Sequence, residues 1–201
     1  MKIAQISPLY ESVPPKLYGG TERVVSYLTE ELMEQGHEVT LFASGDSVTS
    51  AKLIAPCRKA LRLDPDAIDT LAPHFILLKE VIDRYQEFDI LHFHTDYLQY
   101  PIASLLRFPH VTTLHGRLDL PMLEPLYQKY KSMPVISISN SQRTPLPWIN
   151  WVGTVYHGLP VNQFKKAEGK GKGRSEPIYW RRNLISWFAS RFTWKLVPEV
   201  E

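Results

Sequence analysis

Apolar residues along this chain form two kinds of pattern, which alternate from the first residues onward. Residues 2–6, Lys-Ile-Ala-Gln-Ile, make a short apolar run that a Ser-Pro pair ends, which predicts a buried strand. A loop follows as far as the glycine pair at 19–20. Four apolar residues then recur at helical spacing: Val24, Val25, Leu28 and Leu32. This spacing predicts a helix that Thr21 caps and Gly36 ends.

The same alternation continues as far as residue 156. Six runs are expected to be strands: 2–6, 37–43, 89–93, 111–114, 135–138 and 153–156. Further helices are expected at 75–85, 101–106 and 123–130. Short apolar strands that alternate with helices build parallel sheets covered on both faces. The sequence therefore predicts an α/β protein with a Rossmann-like, doubly wound, mainly parallel sheet.

Charge divides the chain into two unequal parts. Residues 1–164 carry 14 Lys and Arg against 17 Asp and Glu, whereas residues 165–201 carry 9 against 4 and hold three of the five tryptophans. Apolar residues make up 44% of the whole chain and charged residues 22%, as in ordinary globular proteins. We expect one domain over residues 1–164, followed by a linker and an atypical basic, aromatic-rich tail over 165–201.

The cellular location is predicted from what the sequence lacks. The single cysteine, Cys57, excludes an internal disulfide and fits a reducing compartment. The early Ser-Pro break does not suit a secretory signal, and no stretch approaches the roughly 20 apolar residues of a membrane span. A cytoplasmic protein is the expectation.

Polar or glycine residues follow nearly every predicted strand, which is where ligands bind in doubly wound sheets. Gly19, Gly20 and Thr21 open a helix, and the free N–H groups at such an end favour an anion. The alternative is that the two glycines only make the turn into the helix. Twelve residues, 8–19, lie between the serine that ends the first strand and the second glycine, so this is not a dinucleotide fingerprint. Other residues after strands are candidates for the cleft: His94, Asp96, Gly116, Ser139, Asn140 and His157.

Two groups of histidines have alternative interpretations. His92, His94 and Asp96 alternate along an extended segment, a spacing that could ligate a metal. No cysteine or further carboxylate pairs with them, so we expect no metal, with His92 as a hydrogen-bonded core histidine and His94 at the rim. His115 ends a strand and precedes Gly116, which leaves the imidazole facing the cleft. The alternative is that His115 only bonds a neighbouring loop carbonyl.

Several segments, taken in order, resemble the opening of family-four retaining glycosyltransferases of the GT-B fold. The resemblance covers residues 1–164 and rests on these segments: Gly-Gly-Thr-Glu-Arg-Val-Val at 19–25, Glu-Gln-Gly-His-Glu-Val-Thr-Leu-Phe-Ala at 34–43, Asp-Ile-Leu-His-Phe-His at 89–94, Thr-Leu-His-Gly at 113–116, Val-Ile-Ser-Ile-Ser at 135–139 and Val-Tyr-His-Gly-Leu-Pro at 155–160.

The resemblance implies two Rossmann-like domains that face each other across a cleft. It implies a nucleotide-diphosphate-sugar donor, a carbohydrate or lipid-linked acceptor, and transfer with retention at the anomeric carbon. The glycine pair at 19–20 would lie near the donor phosphates, and His115 would reach the donor sugar as the catalytic residue. Glu22, His94 and Asp96 would face the acceptor. No metal or cofactor is implied, because basic side chains and helix N-termini stabilise the leaving diphosphate in such enzymes.

The family's second domain supplies an Arg, a Lys and a pair of glutamates to the donor, and residues 165–201 do not resemble it. We therefore expect a partial glycosyltransferase domain, truncated before the C-terminal domain and inactive alone. A shifted reading frame or a gene truncation would explain the tail. Two alternatives stay open: a half-enzyme completed by a separate C-terminal chain, and a non-catalytic sugar- or nucleotide-binding module. Nucleic-acid binding is not expected, because residues 1–164 are acidic. Peripheral membrane contact has no support in the sequence.

Overall fold

The computed structural model describes residues 1–105 and 108–158. Its described part contains a single sheet of seven strands, all of them parallel to their neighbours. The strands are β1 (Lys2–Ile6), β2 (Glu38–Phe42), β3 (Lys52–Ile54), β4 (Ile90–Phe93), β5 (His110–Leu114), β6 (Val135–Ser137) and β7 (Trp151–Thr154). They lie in the order β3-β2-β1-β4-β5-β6-β7. The predicted Rossmann-like, doubly wound sheet is confirmed.

Helices connect most of these strands, as the alternation predicts. They are α1 (Gly20–Glu34), α2 (Leu71–Arg84), α3 (Tyr100–Ala103) and α4 (Leu123–Lys129). Three short 3₁₀ turns accompany them: Leu61–Leu63, Tyr85–Glu87 and Ser141–Arg143. The first helix is amphipathic, with Val25, Leu28 and Leu32 buried. Residues three and four apart share one face of a helix, so these apolar residues form a stripe that packs on the sheet.

Three expectations about the elements were wrong in detail. β3 was missed because it has only three residues and lies at the sheet edge, where none of them is fully buried. The last strand was expected at 153–156 but spans Trp151–Thr154, another half-buried edge strand with weak patterning. Thr21 does not cap α1. The N-cap is Gly19, whose carbonyl accepts from the Arg23 amide, and no side chain caps this end.

The two faces of the sheet differ in chemistry. Successive side chains of a strand point to opposite faces. On β1, Ala4 and Ile6 join an apolar core with Leu77, Leu78 and Val81 of α2. Gln5 therefore points to the other face, where its register partner on β4 is His92. This second face carries Gln5, His92 and Thr113, which are hydrogen-bonded to one another.

The described chain divides into two compact units. Residues 1–154 form the first unit, which holds the whole sheet, and Val155 begins the second. The boundary predicted after residue 164 lies outside the described residues and stays a prediction. In the part of the chain that the structure describes, no helix has both the length and the apolar character needed to cross a bilayer.

Candidate functional site

The strand order places the candidate site at one edge of the sheet. β1 and β4 are neighbours in the sheet. From β1 the chain continues to β2 and β3 on one side, and from β4 it continues to β5, β6 and β7 on the other, so the strand order reverses between β1 and β4. Ligands of doubly wound sheets bind at this point of reversal, beyond the carboxyl ends of the strands. The segments that follow β1, β4, β5 and β6 all begin at this edge because the strands are parallel.

A chain of hydrogen-bonded side chains leads from the sheet toward this edge. Thr113 Oγ1 lies 2.7 Å from His92 Nε2, and His92 Nδ1 lies 3.3 Å from Gln5 Nε2. Gln5 Oε1 lies 2.9 Å from His94 Nε2, and His94 Nδ1 lies 2.8 Å from His115 Nε2. The first four side chains are buried and His115 is half-buried. These hydrogen bonds therefore connect the interior of the sheet to the segment after β5.

His92 is the hydrogen-bonded core histidine that the sequence predicts. Its complete burial lowers its pKa to about 3, because the charged imidazolium would lose its hydration. The ring is therefore neutral at physiological pH. It also packs against the His94 ring, with the ring centroids 4.2 Å apart.

His94 does not lie at the rim, contrary to expectation, because it is only 2% exposed. The backbone explains this burial. The His94 amide donates to the Ile6 carbonyl at 2.9 Å, so the sheet-like pairing of the chain continues one residue past β4. From this position the imidazole bridges Gln5 and His115. His94 thus contacts His115 from the buried side, through its Nδ1.

His115 and Gly116 occupy the turn that follows β5. The His115 ring contacts the His94 ring, with the centroids 5.1 Å apart. A Cβ atom built on Gly116 would meet no atom within 4 Å, so the space beside this residue is open. The structure thus brings His94 and His115 together next to open space, whereas their roles toward a substrate stay predictions.

The glycine pair before α1 consists of two residues with different surroundings. A Cβ on Gly19 would lie 2.7 Å from Pro15 Cβ and 3.0 Å from Glu22 Oε2, so the close packing of the loop requires glycine there. Gly20 is exposed, and a Cβ on it would meet nothing within 4 Å. The interpretation of the glycines as purely structural therefore fits Gly19. Gly20 leaves the N-terminal end of a 15-residue helix accessible to a ligand.

Two acidic side chains lie close to Gly19. Glu22 in the first turn of α1 is buried, and Glu11 in the loop after β1 is also buried. Arg62 Nη1 lies 3.3 Å from Glu11 Oε1. Burial raises the pKa of the Glu22 carboxyl, and the positive charge of Arg62 acts in the opposite direction. The expected contact of Glu22 with an acceptor stays a prediction.

The segment after β4 has an unusual backbone at Asp96. This exposed residue has φ +53°, in the left-handed region that few residues other than glycine adopt. Gln99 stabilises the turn, since its Nε2 donates to the Asp96 carbonyl at 3.0 Å and to Thr112 Oγ1 at 2.7 Å. Thr95 Oγ1 donates to Gln99 Oε1. The turn at Asp96 is thereby fixed at the carboxyl end of β4, and the expected contact of Asp96 with an acceptor stays a prediction.

Ser139 and Asn140 follow β6 at the same edge. Asn140 is exposed, whereas Ser139 is half-buried and its Oγ accepts from the Gln142 amide at 3.1 Å. The Gln142 side chain donates to the carbonyls of Leu114 and Gly116, each at 2.9 Å, and accepts from the Ile138 amide at 2.9 Å. It therefore ties the segments after β5 and β6 together.

His157 belongs to the second unit and is half-buried there. Burial lowers the pKa of its imidazole. Within residues 1–105 and 108–158, no group of three His, Cys, Asp or Glu side chains is arranged to hold a metal ion.

Three glutamines that sequence reasoning missed organise the site: Gln5, Gln99 and Gln142. Gln5 carries a sequence signal, because it is a polar residue inside an otherwise apolar strand. Gln99 and Gln142 carry none. Their partners lie up to 28 residues away along the chain, and only the fold brings them close.

The fold and the edge define a Rossmann-like domain with an accessible helix N-terminus and a half-buried His115 that contacts the buried His94. Residues 18–144 match the family model Glyco_transf_4, Glycosyltransferase Family 4. This match covers more than half of the chain, and the chain belongs to glycosyltransferase family 4.

Two solved structures are similar to this chain. The chain is similar to a glycosyltransferase from Rickettsia africae ESF-5, with 18% identity and a TM-score of 0.51 over 80% of this chain. It is also similar to AviGT4, a glycosyltransferase involved in Avilamycin A biosynthesis, with 19% identity and a TM-score of 0.48 over 83% of this chain. In both cases the chain spans 44% of the length of the solved protein. No curated protein matches the chain.

Proposed function

We propose that residues 1–164 form the acceptor-side domain of a retaining glycosyltransferase that uses a nucleotide-diphosphate sugar. One observation carries the proposal: a buried hydrogen-bonded chain holds His115 beside open space, at the same sheet edge as the accessible N-terminus of α1. The donor diphosphate lies at the exposed Gly20, where backbone N–H groups and the helix dipole favour an anion. His115 contacts the donor sugar.

The proposed acceptor is a carbohydrate or a lipid-linked sugar. Asp96, Ser139 and Asn140 lie on segments that begin at this edge, and hydroxyl, amide and carboxylate groups are suited to hydrogen bonds with sugar hydroxyls. A sugar acceptor needs such groups because it presents alternating donors and acceptors on a small, strongly hydrated surface.

Charge supports the view that a second domain completes this donor site. Three cations on the loops of the edge already have acidic partners: Lys16 with Asp46, Arg62 with Glu11, and Arg117 with Asp119. A diphosphate needs cationic partners to offset its charge. We propose that they come from a second Rossmann-like domain, present in the same protein or in a separate chain.

A transfer assay with the second domain supplied tests this function. The C-terminal domain of a family member is fused to this chain or added separately, and sugar transfer from nucleotide-diphosphate sugars is measured. We expect transfer to appear, with the configuration of the donor's anomeric carbon retained in the product. His115→Ala should then lower kcat about 100-fold or more, as the loss of a group at the reacting centre does.

His110→Gln is the matched control for this assay. His110 begins the same strand, β5, that His115 follows, so it lies at the opposite end of the strand. Its replacement should leave kcat close to that of the wild type. Near wild-type transfer by His115→Ala would remove His115 from the mechanism. A product of inverted configuration would refute retention, and nucleotide-sugar binding without any transfer would favour a non-catalytic module.

A further inference from the structure

The amide of Gln5 lies between two histidines inside the sheet. Gln5 is fully buried on β1, directly opposite His92 of β4 in the parallel register. Burying an amide is unfavourable unless its donor and acceptor are both satisfied. Here Nε2 faces His92 Nδ1 at 3.3 Å, and Oε1 faces His94 Nε2 at 2.9 Å. The two ends of one rigid amide thus contact two different imidazoles.

The two ends of the amide impose opposite requirements on their partners. An amide nitrogen only donates, so His92 must accept at Nδ1 and, being neutral, carry its proton on Nε2, where it donates to Thr113 Oγ1. An amide oxygen only accepts, so His94 must carry a proton on Nε2. A neutral His94 then accepts at Nδ1, and the 2.8 Å contact requires His115 to donate from Nε2.

We propose that Gln5 is a positioning residue for His115, because its amide orientation fixes the Nε2–H tautomer of His94 and, through it, the Nε2–H tautomer of His115. The tautomer leaves Nδ1 of His115 as a hydrogen-bond acceptor. For sugar transfer the inference rests on the proposed function, in which His115 contacts the donor sugar. The proton arrangement itself belongs to the folded domain and is measured without any substrate.

The orientation of the Gln5 amide determines which ring nitrogen carries the proton in each of the three hydrogen-bonded histidines. An amide rotated by 180° would present Nε2 to His94 and Oε1 to His92. Each of the two histidines, when in its neutral form, would then carry its proton on Nδ1. His94 would donate to His115 Nε2, and His115 would also carry its proton on Nδ1. The tautomers of the three histidines therefore report the orientation of Gln5 directly.

Nitrogen-15 NMR of the 201-residue protein, labelled at histidine, tests the proposal, since two-bond couplings distinguish the tautomers. In the wild type we expect His92, His94 and His115 each in the Nε2–H form. Gln5→Leu removes both amide contacts, and His94 and His115 should lose their single tautomer. Gln5→Glu keeps an oxygen acceptor for His94 Nε2, so His94 and His115 should keep the wild-type form while His92 changes.

Thr113→Val is the matched control, because Thr113 bonds His92 but lies off the path from Gln5 to His115. It should leave the His94 and His115 tautomers unchanged. Nδ1–H forms in the wild type, or an unchanged His115 in a folded Gln5→Leu protein, would overturn the proposal. If Gln5→Leu fails to fold, the wild-type and Gln5→Glu spectra still decide it. Confirmed tautomers without any transfer in the completed enzyme would reject the proposed function alone.

Discussion

At the scale of single residues, Gly19 and Gly20 have adjacent positions and different surroundings. The missing side chain of Gly19 lets Pro15, Glu22 and Glu11 pack against the backbone. The missing side chain of Gly20 leaves space that no protein atom fills. Stability and ligand access are therefore assigned to different glycines, and substitutions should separate them.

Gly19→Ala should lower the free energy of unfolding by about 1–3 kcal/mol, because the new methyl group would overlap Pro15. Gly20→Ala should change it by no more than about 0.5 kcal/mol. Urea unfolding of both variants measures this difference.

In the completed enzyme, Gly20→Val should raise the KM for the donor by crowding the phosphate. Equal losses of stability, or unchanged donor kinetics for Gly20→Val, would contradict the assignment.

The buried His92 should make the stability depend on pH in a defined direction. Its pKa is about 3 in the folded protein and about 6.5 in the unfolded chain, so between these values only the unfolded state binds the proton. The contribution of the neutral His92 to the free energy of unfolding is fully present above pH 6.5. It is lost as the pH falls toward 3, at up to roughly 1.4 kcal/mol per pH unit. Burial also lowers the pKa values of His74 and His110, which act in the same direction.

His92→Gln isolates this contribution, since glutamine can hydrogen-bond but does not titrate in this range. Urea unfolding between pH 4 and pH 7 should show a shallower pH dependence for His92→Gln than for the wild type. Parallel curves would show that His92 is charged, or already solvated, in the folded protein.

At the scale of elements, the pattern of apolar residues predicted the central strands and helices. The geometry of the candidate site depends on contacts between residues far apart in the sequence, which no local pattern shows. β1, β2, β4 and β5 were predicted because their buried apolar runs are continuous, whereas the half-buried edge strands β3 and β7 were missed or displaced. The edge itself followed from the parallel order. The burial of His94 and the bridge made by Gln142 depend on distant partners, so the sequence could not show them.

Gln142→Ala should destabilise the segments after β5 and β6 together. It removes three hydrogen bonds, to the carbonyls of Leu114 and Gly116 and from the Ile138 amide, and we expect a loss of about 2 kcal/mol. Amide exchange at Ile138 should also accelerate. Gln86→Ala, at an exposed glutamine that bonds only Tyr85 among the described contacts, is the control and should change little. Unchanged exchange at Ile138 would show that Gln142 does not hold this edge.

At the scale of the whole molecule, the chain spans 44% of the length of the Rickettsia africae glycosyltransferase, and three loop cations of its edge, Lys16, Arg62 and Arg117, have acidic partners. A diphosphate that lacks two charge-assisted hydrogen bonds forgoes roughly 1.5–3 kcal/mol for each. That loss weakens binding about 100-fold or more. Calorimetric titration of the 201-residue chain with nucleotide sugars should therefore show no micromolar binding and no turnover. Micromolar binding with turnover would show a complete enzyme.

The place at which a nucleotide-diphosphate sugar binds this chain shows whether the carboxyl edge of the sheet is the donor site. Amide chemical shifts of the 201-residue protein are followed by NMR while a nucleotide-diphosphate sugar is added to millimolar concentration. We predict that the shifts concentrate at the carboxyl edge of the sheet: Gly20, Thr21, His115 and Gly116. Shifts confined to the opposite edge, at Lys2, Glu38 and Asp89, or the absence of any shift, would contradict a donor site at the carboxyl edge of the sheet.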